Sequence, residues 1–155
     1  MPEKPLPKGN GVVTIHTILV PVADLNRPAY HTLAYARSLT DRVTAVYIAD
    51  NDEHKARMRQ KWDAWGSDIP LVVLDSPYRA VVGPLMRYIE EVDALDPDDL
   101  LTIVLPEMVP EMVPDHWWDN APHNQTALRL KAALLFRPNT VVTSVPYHMR
   151  GADKR

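Results

Sequence analysis

The chain has no cysteine, a single phenylalanine and only five glycines, none of them between Gly83 and Gly151. Without cysteine there are no disulfides, thiolate nucleophiles or zinc–cysteine sites, which fits a reducing, cytoplasmic setting. A phosphate cradle made of backbone N–H groups ordinarily needs glycine so that the ligand can approach. The second half of the chain therefore cannot carry an ordinary glycine-rich nucleotide loop. No apolar run approaches the roughly 18 residues that would span a bilayer. There is no basic cluster either, and a net charge of −3 gives no footprint for nucleic acid. Residues 1–10 are charged and proline-rich, unlike a signal peptide. The nucleophile-elbow, zinc-helix and Walker-A patterns are missing, so the chain is expected not to be an enzyme. His116 and His123, with Asp115 nearby, do not have a spacing that defines a metal site, and no metal or cofactor is expected.

What is present is one domain's worth of chain. Its 155 residues are 46% hydrophobic, enough for a single core. Residues 1–13 read as a tail or linker, 14–149 as the domain and 150–155 as a second tail. Most of the fifteen prolines punctuate turns.

Strand and helix patterns alternate. Residues 15–22 form a first strand, and Asn26 caps a helix that runs to Leu39 with Pro28 in its first turn. Residues 42–49 form a second strand, apolar on both faces as buried parallel strands are. Residues 52–65 make a charged helix with Met58, Trp62 and Trp65 on one stripe, stopped by Gly66. Residues 71–74 form a third strand. Ser76 and Pro77 then open a helix that Gly83-Pro84 should kink or delay. Residues 100–105, 126–136 and 140–145 supply the fourth strand, last helix and last strand. The long loop between them contains the duplication Glu107-Met108-Val109-Pro110 and Glu111-Met112-Val113-Pro114. The pattern predicts an α/β fold with a five-stranded parallel sheet of order 3-2-1-4-5 and right-handed crossovers. That order sets the ends of strands 1 and 4 side by side at a ligand crevice.

Five stretches together resemble a known family. They are ILVPVADLNRPAYHTLAYARSL (18–39), VTAVYIA (43–49), DSPYRAVVGPLMRYIE (75–90), HWWDNAPHNQTALRLKAALLF (116–136) and VVTSVPYH (141–148). The chain resembles the universal stress protein fold, a Rossmann-like fold, over residues 14–146. More narrowly, it is similar to the cytosolic C-terminal domain of potassium and amino-acid transporters of the APC superfamily, KimA-type importers included. The resemblance implies a homodimeric regulatory module beneath a transporter membrane domain. In the KimA type it also implies binding of a small nucleotide ligand, cyclic di-AMP. Nucleotide-binding universal stress proteins place glycines and a Ser/Thr after strand 4, whereas this chain has PEMVPEMVPDHWWDNAPHNQ (106–125). That substitution argues against ordinary ATP binding.

The candidate ligand contacts follow from the crevice and the resemblance. Val22, Ala23 and Asp24 end the first strand, and Tyr47 and Ala49 end the second. Tyr78 and Arg79 sit where a helix N-terminus favours an anion. His123, Asn124 and Gln125 occupy the place of the missing phosphate loop, with Arg129 a turn further on. Each also has a plain structural role available as a cap, turn or surface ion pair. Trp117 and Trp118 can pin the loop, stack on a base or face a transporter. The apolar last strand, with Val141, Val142, Thr143, Ser144 and Val145, is the expected homodimer edge. Four readings compete: a cyclic di-AMP domain, an ATP- or AMP-binding stress protein, a ligand-free dimerisation domain of a permease, and an enzyme on the same fold.

Overall fold

A computed structural model of the chain describes residues 16–76, 80–95, 100–109, 125–135, 137 and 140–148. The elements alternate as β1 His16–Val22, α1 Arg27–Leu39, β2 Val43–Ala49, α2 Asp52–Trp65, β3 Leu71–Asp75, α3 Val82–Leu95, β4 Leu100–Val109, α4 Gln125–Leu134 and β5 Thr140–His148. All strand pairings are parallel and the order is β3-β2-β1-β4-β5, as the sequence predicts. Both β3 and β5 are edge strands.

The period of two in β1 divides the core. Ile18, Val20 and Val22 face Ala29, Leu33 and Ala36 of α1 and Met58 and Trp62 of α2. Leu19 faces the other way, toward Leu85 and Ile89 of α3 and Leu130 and Leu134 of α4. The helical residues recur three or four positions apart, so each helix turns one stripe to the sheet. Fully burying a side chain of this size is worth about 1.5–3 kcal/mol. The sheet is thus filled from both faces, the doubly wound arrangement.

Local chemistry sets the boundaries on the β1–β3 side. The Asn26 side chain accepts the Ala29 N–H at 3.0 Å, and Pro28 needs no partner for an N–H it lacks. Asn51 does the same for His54 at 2.8 Å, with Asp52 and Glu53 placed well for the helix dipole. Gly66 ends α2 at φ 70° and donates its N–H to Trp62 O at 3.3 Å. The Trp62 indole N–H donates to Ile69 O at 2.8 Å, so the chain leaving α2 is tied back to the helix.

Two expectations need correction. First, of the kink or delay expected from Gly83-Pro84 the structure has the delay: α3 begins at Val82, not at the Ser76 that the sequence offers as its cap. Pro84 has no N–H for the carbonyl four residues back and its ring crowds that group, which suits it to the first turn, where α3 has it. The ladder starts with Leu85 N–H donating to Val81 O at 3.2 Å. Ser76 is buried, and its N–H donates to Ala49 O at 2.8 Å, tying the end of β3 to β2. Second, β4 and β5 each run past the residues 105 and 145 assigned from sequence. The added pairs are Pro106↔Val145, Glu107↔Pro146, Met108↔Tyr147 and Val109↔His148. Prolines are tolerated where the missing N–H faces away from the ladder, as edge and overhanging strands permit. The first copy of the duplicated tetrapeptide is therefore largely strand, and the connection shortens to residues 110–124.

Candidate functional site

In this topology the connections leaving β1 and β4 go to opposite faces of the sheet, which opens a crevice beyond their carboxyl ends. One wall is the turn from Val22 to Asn26 and the N-terminus of α1. The other is the β4–β5 overhang. Register with β1 ends at Leu19↔Ile103, whereas β4 and β5 stay paired out to Val109↔His148. The overhang leans on α1, where the Tyr147 and His31 rings meet edge to face with centroids 5.8 Å apart.

The rim over β1, β2 and β3 carries a row of carboxylates, each met by a side chain of α2, two of them lysines and one a histidine. Lys61 Nζ donates to Asp24 Oδ1 at 2.9 Å, and the Leu25 N–H donates to the same oxygen at 2.8 Å. His54 Nδ1 meets Asp50 Oδ1. Lys55 Nζ lies 3.5 and 3.4 Å from the two carboxylate oxygens of Asp75. The hydrogen bond from Lys61 is the main reason the Asp24 carboxyl is held below its usual range. Partial burial pushes the other way, and the Leu25 N–H and the Lys61 charge add to the lowering. At neutral pH Asp24 is an ionised acceptor. It can take N–H or O–H donors and would repel a phosphate.

The predicted contacts separate under this geometry. Val22 and Tyr47 are register neighbours, so the structure brings the ends of the first two strands together. Val22 is buried in the core and Tyr47 half-buried against it, while Ala23 and Asp24 are exposed. Ala49 is buried at 1% exposure and its carbonyl already accepts the Ser76 N–H. Its methyl is therefore enclosed in the core, and its carbonyl keeps one lone pair beyond the Ser76 bond. Gln125 is the first residue of α4, and Arg129 is exposed on the next turn. Tyr78, Arg79, His123 and Asn124 lie outside the described residues, as do Trp117 and Trp118. On the edge strand, Val141 is exposed, Val142, Thr143 and Ser144 are half-buried, and Val145 is buried toward α1. The Thr140 and Ser144 hydroxyls are buried without a hydrogen-bond partner among the described residues.

Sequence reasoning missed the α2 cations. Lys55 and Lys61 stand on a helix whose charged positions look solvated, and only the right-handed crossover brings them over the rim. The one available signal was the recurrence of an aspartate at the carboxyl end of each of three strands. Among the described residues no three His, Cys, Asp or Glu side chains gather where a metal could sit, and no helix is long and apolar enough to cross a membrane.

Comparison with known proteins points to one family. The family model described as the KimA potassium transporter C-terminal domain matches residues 14–147. The potassium transporter KimA of Bacillus subtilis (strain 168) is 28% identical over 133 residues, covering 86% of this chain and 22% of that protein. The chain thus spans about a fifth of the relative it matches.

Proposed function

We propose a regulatory role for this chain, which belongs to the KimA potassium transporter C-terminal domain family: it is a cytosolic domain that binds cyclic di-AMP and controls an attached or separate APC-type transporter. The observation that carries the reading is the β1–β4 switch point with the ionised Asp24 at its rim, in a chain whose family match runs from residue 14 to residue 147. The ligand class comes from the likeness to KimA-type importers. The ligand's adenines offer N–H donors suited to Asp24 and edges that the amide of Asn124 or Gln125 can read, while its phosphates call for the cations Arg79 or Arg129 and the helix ends near them. Because it has two-fold symmetry, a two-fold dimer presents every binding group twice. The β5 edge is the dimer surface in this reading, with Val141 exposed beside an unpaired strand edge. Binding inhibits transport when the domain is attached to its membrane partner.

Titration calorimetry with cyclic di-AMP, ATP and AMP tests the proposal. A specific ligand at 100-fold over its Kd raises folding stability by about 2.7 kcal/mol, so a thermal shift should accompany the heat. The stress-protein alternative predicts that ATP or AMP binds better, and the glycine-free stretch from 84 to 150 speaks against it. A second reading, a dimerisation domain without a ligand, draws on Ala49 and Asp24 already having partners inside the chain. It predicts a dimer and no heat with any of the three.

A further inference from the structure

Asp24 has an uneven set of partners. Its Oδ1 receives both the Leu25 N–H at 2.8 Å and the Lys61 ammonium at 2.9 Å, whereas Oδ2 has no hydrogen bond among the described residues. Two donors from different elements converge on a single oxygen. One belongs to the turn itself and the other comes from α2, thirty-seven residues along the chain. Fixing one oxygen at two points fixes the plane of the carboxylate and leaves the other oxygen as a defined acceptor. The pair is also partly open to solvent, at 53% side-chain exposure for Asp24 and 45% for Lys61, so a surface ion pair of this kind adds little to stability. Its geometric effect is larger than its energetic one. The other two rim pairs differ. Lys55 stands back 3.4–3.5 Å from both oxygens of Asp75, and Asp50 is the more enclosed partner of His54. Only Asp24 lies on the turn that borders the β1–β4 crevice.

We infer that Lys61 is a positioning residue for ligand recognition: by holding Asp24 Oδ1 it presents ionised Oδ2 as the acceptor for an amine or hydroxyl of a nucleotide in the crevice. The inference rests on the nucleotide-binding reading above and adds to it a residue on α2 that does not itself touch ligand. The acceptor suits the exocyclic amine of an adenine or a ribose hydroxyl, the donors that a nucleoside offers away from its phosphates. Without Lys61 the carboxylate keeps only the donor of its own turn. It then rotates, takes up protons more readily, and loses its orientation toward the crevice.

The test pairs a double-mutant cycle with a carboxyl titration, both on the full chain. Cyclic di-AMP is titrated by calorimetry into wild type, K61M, K61R, D24N and D24N/K61M. Removing the acceptor in D24N should weaken binding about tenfold or more, the weight of one charge-assisted hydrogen bond. K61M should weaken it about three- to tenfold, K61R should restore most of the loss, and K61M should add nothing in the D24N background. Carbon-13 detection of the Asp24 carboxyl should give a titration midpoint that rises in K61M and stays low in K61R. Wild-type affinity in K61M overturns the inference. So does an equal loss from K61M with or without Asp24, since Lys61 would then contact the ligand directly. If wild type takes up no cyclic di-AMP, the functional reading fails on its own. The titration separates the two failures: an unmoved Asp24 midpoint in K61M overturns the Lys61–Asp24 coupling itself, whereas a raised midpoint with no cyclic di-AMP uptake leaves the coupling standing and overturns its role in recognising that ligand.

Discussion

Over β1, β2 and β3 each rim carboxylate has a side-chain partner on α2, both helices have asparagine caps, and α2 ends on a left-handed glycine. Over β4 and β5 the strands overrun the rest of the sheet, the outer edge exposes Val141, and two buried hydroxyls have no partner among the described residues. The same sheet ends on a short five-residue edge at β3, beside the paired rim, and on a longer nine-residue edge at β5. A stretch that satisfies its own polar groups does not depend on a partner, whereas a long unpaired edge invites a strand from another chain. The crevice lies at the seam between the two halves. A ligand there would touch a wall that is fixed in advance and a wall that our reading completes by dimerisation.

The contrast can be broken from either side. In the self-contained half, Trp62→Ala removes a side chain that is 6% exposed and leaves Ile69 O without its indole donor. It should cost about 3–5 kcal/mol in urea unfolding. In the open half, Val141→Asp sets like charges near the two-fold of the proposed dimer, where such juxtaposition costs several kcal/mol. Light scattering at tens of micromolar should report a two-chain mass for wild type and a one-chain mass for V141D. Because Val141 is an exposed surface position, the V141D monomer should keep its fold to within about 0.5 kcal/mol. A one-chain mass for wild type would remove the distinction between the halves. The caps are a smaller lever: Asn51→Ala should cost about 1 kcal/mol by loss of the bond to the His54 N–H.

The smallest effect is in acid. The folded-state pKa of Asp24 lies below its unfolded value, which is about 3.9. Its contribution is therefore present above the unfolded pKa and fades as pH falls through the folded one. In K61M the acid limb of the stability profile should be shallower below about pH 4, and unfolding midpoints at neutral pH should hardly move.

Much of this was legible in the sequence where one residue decides a local outcome. Asn26, Pro28 and Gly66 marked helix ends because caps and positive φ are properties of single residues. Strand order followed from the alternation of elements and the handedness of crossovers. The misjudged boundaries are those where a distant partner decides. Pro106 and Pro146 read as strand ends, yet β4 and β5 pair past both, since an overhanging ladder has a side that needs no N–H. Ser76 read as a helix cap, and Gly83-Pro84 as a kink or a delay; the structure has the delay, with α3 starting at Val82. The Lys61–Asp24 pair was invisible because it depends on where α2 crosses the rim. Of the two proposed phosphate cations Arg79 falls outside the described residues, and so does Asn124 on the adenine side.

The central claim is that cyclic di-AMP binds a two-fold assembly of this domain, and the stoichiometry of a calorimetric titration tests it most directly. The account predicts saturable heat with one ligand per two chains, lost in V141D as the dimer dissociates. No heat at high micromolar ligand, or one ligand per chain with V141D binding as wild type, would contradict it.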